Sequence, residues 1–141
     1  MKKRATALLL ALLMILPIGL ITVAILHANN TRDVKTDLQA GLGTITTSVS
    51  LMNAKAIYTF EIFAPYALAL LYVVLLGQPW TLLVVVLTLP LALRNVRTMI
   101  QAEDDLPYRG IQRLDQTTAQ LQMAFGLLYA LGFFLGSWLG V

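Results

Sequence analysis

The chain has 141 residues, 58% of them hydrophobic and 12% charged, which is more apolar surface than a soluble domain of this size can bury. No cysteine, a single histidine and a formal charge of +3 exclude thiol catalysis, thiolate metal sites and a histidine-rich metal centre, and give no basis for nucleic-acid binding. Lipid is therefore the expected solvent, and residues 1–141 read as a single all-α membrane domain.

The chain opens on Met1-Lys2-Lys3-Arg4 and an apolar run that superficially matches a secretory signal peptide. From Ala5 to Ala28 there are 24 residues without a formal charge. As a helix these reach about 36 Å at ~1.5 Å per residue, enough to cross a hydrocarbon core, whereas a signal segment is shorter. Residues 5–28 are therefore a first membrane span, and the polar stretch Asn29 to Asp37 continues from it. Apolar segments at 57–76, 80–96 and 119–141 complete four expected spans. Gly77-Gln78-Pro79 predicts a tight turn between the second and third, with Trp80 at the headgroup interface. The third span is the shortest: Trp80 to Leu93 holds 14 uncharged residues interrupted by Pro90, which predicts a short or kinked helix with Arg94 snorkelling.

Basic residues set the orientation. Arg32, Lys35, Lys55, Arg94, Arg97, Arg109 and Arg113 follow the first and third spans, and the Gly77 turn and C-terminus carry none, so the two basic loops are expected to be cytoplasmic. The expected location is a multi-pass membrane position, the cell inner membrane in a bacterium. Lys2, Lys3 and Arg4 then fall on the opposite side, and this conflict leads to the expectation that the functional fold begins upstream of residue 1.

On a helix, Asn29, Asp33 and Asp37 fall on one stripe because each is four residues on. A charged cluster beside a membrane is ordinarily a solvated face with surface ion pairs. Here, however, the residues three and four away from Asp33 and Asp37 include no Lys or Arg, and Arg32 and Lys35 are expected to point elsewhere. Two like charges at i and i+4 favour a cation between them. Mg²⁺ suits this position, because it takes oxygen ligands, keeps several waters and joins one or two carboxylates to substrate phosphates.

The string Asn29-Asn30-Thr31-Arg32-Asp33, followed by Asp37, Ala40 and Gly41, resembles the second aspartate-rich motif of UbiA-type intramembrane prenyltransferases, in particular the branch that prenylates naphthoquinone precursors for menaquinone. Ala24 to Asp33 is especially similar to animal-type and related bacterial members. The similarity continues through Leu89-Pro90-Leu91-Ala92, Thr118 to Leu121 and Phe125 to Gly132.

The resemblance implies a bundle of nine helices of which these four spans are the last, with the first aspartate-rich motif carried by helices that precede them. It implies Mg²⁺-dependent transfer of a polyprenyl group from a polyprenyl diphosphate to an aromatic acceptor such as 1,4-dihydroxy-2-naphthoate. Asp33 and Asp37 would be the catalytic carboxylates that hold the metal; Asn29 would contact metal or diphosphate, and Asn30 and Arg32 would support them. A complementary N-terminal half is an implied partner. Leu42 departs from the pattern, because many relatives carry Lys after Ala-Gly.

Other candidates stand beside the motif. Arg94, Arg97 and Gln101 share a helical face and could clamp phosphate oxygens, or serve as positive-inside anchors. Glu61 falls inside the second span, where a carboxylate should face the bundle interior, but it is six residues from Lys55 and an interfacial place is equally compatible. His27 reads as an ordinary interfacial polar residue. Tyr58, Tyr66 and Tyr72 could line a cation-stabilising cavity, although packing or lipid-facing roles are the simpler reading. Glu103-Asp104-Asp105 reads as solvated loop. The rival function is a non-catalytic membrane remnant or accessory subunit that binds prenyl diphosphate or quinone. A transporter is a distant third, for want of paired discontinuous helices.

Overall fold

The structure, a computed structural model, describes residues 2–103, 105 and 107–141. Among these the chain is helical, without strands: α1 (Lys2–Gln39), α2 (Ile45–Ser48), α3 (Leu51–Leu76), a 3-10 helix (Trp80–Thr88), α4 (Leu89–Ile100) and α5 (Leu114–Leu139). Four stretches, Met14–Gln39, Leu51–Leu76, Trp80–Ile100 and Leu114–Leu139, are long and apolar enough to cross a membrane, as the hydropathy pattern predicts. Among the described residues the chain is thus all-α, with four candidate membrane spans. Met1 and Asp104 of the sequence reading lie outside the described residues.

α1 has 38 residues, roughly 57 Å at about 1.5 Å each, so it outruns a hydrocarbon core of ~30 Å. The surplus carries Asn29 to Asp37 on unbroken helix. Gly41 (φ +69°) ends it: Leu42 N–H donates to the Asp37 carbonyl at 2.8 Å and Gly41 N–H to Leu38 at 3.2 Å. This left-handed stop needs a residue without a Cβ, which is the local reason for glycine four residues after Asp37. Ser50 caps α3, accepting from the Asn53 N–H at 3.3 Å, and Gly77 (φ +61°) terminates it at the expected turn.

The third span differs from a short, kinked α-helix. Residues 80–88 wind as a 3-10 helix and the chain changes to α-helix at Leu89, with Pro90 in the first turn of α4, where its missing N–H has no helical partner to lose. A 3-10 helix rises about 2.0 Å per residue, so its nine residues together with the twelve of α4 reach roughly 36 Å. The stretched winding lets a segment with few uncharged residues span a bilayer.

α1 packs against both α3 and α5, α5 also packs against the 3-10 helix, and α4 lies on α3 and α5. Ile21, Ala24, Tyr58, Ile62, Leu82, Leu121 and Phe125 form the shared interior. Apolar side chains such as Phe60, Leu75, Leu87 and Phe134 are exposed, as lipid-facing positions should be. The closest approach is at Gly132 and Gly136 of α5. A Cβ on Gly132 would stand 2.7 Å from the Thr81 carbonyl oxygen, and one on Gly136 would run into the Pro79 ring. Small residues four apart let helix backbones meet in lipid, where packing rather than water exclusion drives association. Thr81 Oγ1 uses the proximity to donate to the Gly132 carbonyl at 2.5 Å.

Candidate functional site

Three polar links join α1, α3 and α5 near the motif end of the bundle. The first is His27 with Glu61: Nδ1 lies 3.4 Å from Oε1 and 3.2 Å from Oε2, with both residues buried. The second is Tyr58 with Thr118 at 2.6 Å. Because Thr118 Oγ1 already donates to the Leu114 carbonyl, the Tyr58 hydroxyl is the donor. The third is Arg32 with Asp115, where Nη1 donates to Oδ2 at 2.6 Å.

These links correct the sequence reading at His27 and Asp33, decide between the two places open to Glu61, and bear out the packing role of the tyrosines. His27 is not an interfacial residue: it is 4% exposed and its ring meets Tyr58 edge-on, centroids 6.2 Å apart. Glu61 takes the interior of the two places open to it, because α1 offers it a partner one helix away. Tyr58 and Tyr66 serve packing, their hydroxyls bonded to Thr118 and Thr88, and Tyr72 is buried in the core. The largest correction concerns Asp33, whose carboxylate does have a basic neighbour. Arg32 Nε donates to Oδ1 and Nη2 to Oδ2, both at 2.8 Å, and Nη2 also reaches Asn29 Oδ1. Counting neighbours at three and four residues misses this, because a long arginine side chain can curl along the helix surface to the adjacent residue once Asp115 draws it there.

A buried pair such as His27 and Glu61 is costly to break on one side only. Glu61→Leu alone, or His27→Leu alone, should destabilise the detergent-solubilised protein by about 3 kcal/mol, and the double substitution by clearly less than the sum. Thermal unfolding of the three variants checks this.

Among the motif residues, Asn29, Arg32 and Asp33 are joined directly, and all are partly exposed. Asp37 lies one turn beyond Asp33, partly exposed, and its carboxylate bonds to no side chain among the described residues. Asn30 lines a small cavity of about 40 Å³ with His27, Thr46 and Glu61, beside the motif stripe. Arg94, Arg97 and Gln101 line one open groove on α4 together with Pro90, Leu93 and Thr98, and no α1 residue borders it. Leu42 is exposed beyond the α1 stop. Glu103 and Asp105 are exposed, and Asp105 pairs with Arg109 only at 3.7 Å on the surface.

Asp115 is the site residue that sequence reasoning missed. It stands in the first turn of α5, where the helix dipole favours an anion. The available signal was an acidic residue just before the last span, on the same expected side of the membrane as the motif.

The donor chemistry suits Mg²⁺: Asn29, Asp33 and Asp37 supply oxygen only. The Arg32 fork takes one acceptor position on each Asp33 oxygen and leaves one on each, and the Asp37 carboxylate is engaged by no side chain among the described residues. Among the described residues no group of three His, Cys, Asp or Glu converges into a self-contained cage. Such an open arrangement matches a metal that completes its shell with water and phosphate.

A family model described as the UbiA prenyltransferase family matches residues 4–110. The chain is 34% identical over 128 residues to UbiA prenyltransferase domain-containing protein 1 of Xenopus tropicalis, covering 88% of this chain and 33% of that protein. The Gallus gallus protein of the same name is 33% identical over 128 residues, covering 88% and 34%. The Drosophila melanogaster homolog is 35% identical over 120 residues, covering 81% and 30%. The chain therefore spans about a third of the length of the curated relatives it matches. Motif, all-helical architecture and family model agree, and the chain belongs to the UbiA prenyltransferase family.

Proposed function

We propose that this chain forms one side of a Mg²⁺-dependent prenyltransferase site that moves a polyprenyl group from its diphosphate to an aromatic acceptor, 1,4-dihydroxy-2-naphthoate or a closely related quinone precursor. The observation that carries this reading is the stripe Asn29, Asp33 and Asp37, an oxygen-donor face at the polar end of a membrane-spanning helix in a family of prenyltransferases. Asp33 and Asp37 would hold the metal, with Asn29 beside them. Bound Mg²⁺ would supply the positive charge that neutralises a departing diphosphate.

The chain's own residues do the remainder. Arg32 keeps the Asp33 carboxylate in one orientation and Asn30 borders the same end of the bundle. The apolar faces of the spans would take the isoprenoid tail and exclude water from the reacting carbon. Arg94 and Arg97 would supply further phosphate contacts from the α4 groove once the helices are assembled with a complementary half. The motif end of the bundle would face the cytoplasm, in keeping with the basic loops.

A second reading is a non-catalytic subunit that binds prenyl diphosphate: among the described residues Asp33 and Asp37 are the two carboxylates of the stripe, and no third His, Cys, Asp or Glu groups with them. One titration series separates the readings. Farnesyl diphosphate is titrated into the detergent-purified chain with Mg²⁺ or with EDTA, and pyrophosphate release is then followed with 1,4-dihydroxy-2-naphthoate present. Mg²⁺-dependent binding with release supports the enzyme, and binding without release refutes catalysis by this chain alone, with the subunit reading supported if release is still lacking once a complementary half is supplied. Binding that EDTA leaves unchanged, or no binding, overturns the metal-dependent site.

A further inference from the structure

The contacts around Arg32 single out a residue outside the aspartate-rich motif. Arg32 spends four N–H bonds on three partners: two on Asp33, one on Asn29 and one on Asp115. Asn29 and Asp33 belong to the same helix as Arg32, so among the described residues Asp115 alone ties the guanidinium to the rest of the bundle. Its frame is firm. Leu114 and Thr118, on either side of it in the first turns of α5, are 1% and 0% exposed, and Thr118 is held by the Tyr58 hydroxyl of α3.

Asp115 is also committed to Arg32. Its side chain is 19% exposed, Oδ2 takes the 2.6 Å bond, and Oδ1 is buried without a hydrogen-bond partner among the described residues. Withdrawal of Arg32 would leave a largely buried carboxylate without its counter-charge, a costly state. The guanidinium is therefore held at its place between α1 and α5. From there its planar fork sets the rotamer of Asp33 and draws on the Asn29 amide oxygen.

We propose that Asp115 is a positioning residue for the metal–diphosphate site, acting through Arg32 to orient the Asp33 carboxylate and the Asn29 amide toward a bound cation. The inference rests on the reading of Asn29, Asp33 and Asp37 given above. An oxygen donor free to rotate must be ordered by the metal itself, whereas one already held presents its remaining acceptor position at no further entropic cost. Partners that orient metal ligands typically account for about 10- to 100-fold in metal affinity.

The test is the Mg²⁺ concentration needed for half-maximal farnesyl diphosphate binding by the detergent-purified full chain, with the thermal midpoint recorded for each variant. Asp115→Asn should raise that concentration about tenfold. Arg32→Lys, which keeps the charge but loses the fork, should raise it by a similar factor, and the double variant should be no worse than either alone, because both act on the same carboxylate. Asp115→Glu should recover most of the loss, an outcome that a general loss of packing would not give.

If Asp115→Asn binds with the wild-type Mg²⁺ requirement while Asp33→Asn does not bind, the positioning role is refuted and the site reading stands. If Asp33→Asn also keeps the wild-type requirement, or the unsubstituted chain shows no Mg²⁺-dependent binding, the site reading fails and the positioning role falls with it. Should Asp115→Asn not fold, Arg32→Lys decides: wild-type behaviour in that variant refutes the proposal.

Discussion

Replacing Asp33 or Asp37 by asparagine should reduce Mg²⁺-dependent binding of a prenyl diphosphate by about 100-fold or more, and turnover with it in the assembled enzyme, while helix content and thermal midpoint stay near wild type. The substitution removes the negative charge but keeps an amide oxygen of the same size, so Arg32 retains an acceptor at position 33. Both side chains are partly exposed at the polar end of α1, so neither carries the core. Lys35→Ala is the matched control, because it is exposed between the two aspartates and removes a charge of the opposite sign. Calorimetric titration with farnesyl diphosphate at several Mg²⁺ concentrations distinguishes the cases. Undiminished binding in either aspartate variant would remove that residue from the proposed ligand set.

The second large effect is structural and lies at the other end of the last span. Gly132→Val should destabilise the bundle by about 3 kcal/mol, or prevent its assembly, because overpacking a close-packed contact commonly costs ~1–3 kcal/mol and here the opposing atoms are backbone. A Cβ at this position would sit 2.7 Å from the Thr81 carbonyl oxygen and 2.9 Å from Leu82 Cα, and no rotamer change can relieve either contact. The bond from Thr81 to the Gly132 carbonyl would be broken as the helices part. Gly136→Ala should follow in the same direction through the Pro79 ring. Gly126→Ala provides the contrast: nothing lies within 4 Å of a Cβ there, and alanine favours helix over glycine by up to about 1 kcal/mol, so stability should hold or rise slightly. Thermal unfolding in a single detergent ranks the three.

Much of the architecture was written along the chain. The four spans, the Gly77 turn and the continuation of the motif on the first helix are local properties: hydropathy over some twenty residues, a glycine that accepts positive φ, and a polar stretch with no helix breaker before Gly41. The third span was legible in position but not in winding. Residues 80–88 coil as a 3-10 helix packed against α5, and the glycines that admit this contact, Gly132 and Gly136, lie some fifty residues further on. The same distance in sequence explains His27. A lone histidine near the end of an apolar run has no local sign of burial until α3 brings Glu61 against it.

The sequence by itself determined that this chain belongs in lipid, that four of its stretches are apolar and long enough to cross it as helices, and that an amide and two carboxylates line one stripe of the first. Apolar length and helical periodicity act over a few turns and need no partner. Only the tertiary structure decided what surrounds that stripe. Two aspartates that the helical lattice leaves without a basic neighbour become one aspartate gripped by Arg32 and one that no side chain engages among the described residues, and Asp115 arrives from 83 positions away to hold the arginine. Electrostatic partners of that kind are selected by helix packing, in which small residues, polar links and lipid-excluded contacts bring distant turns together, and no spacing rule along a single helix contains them.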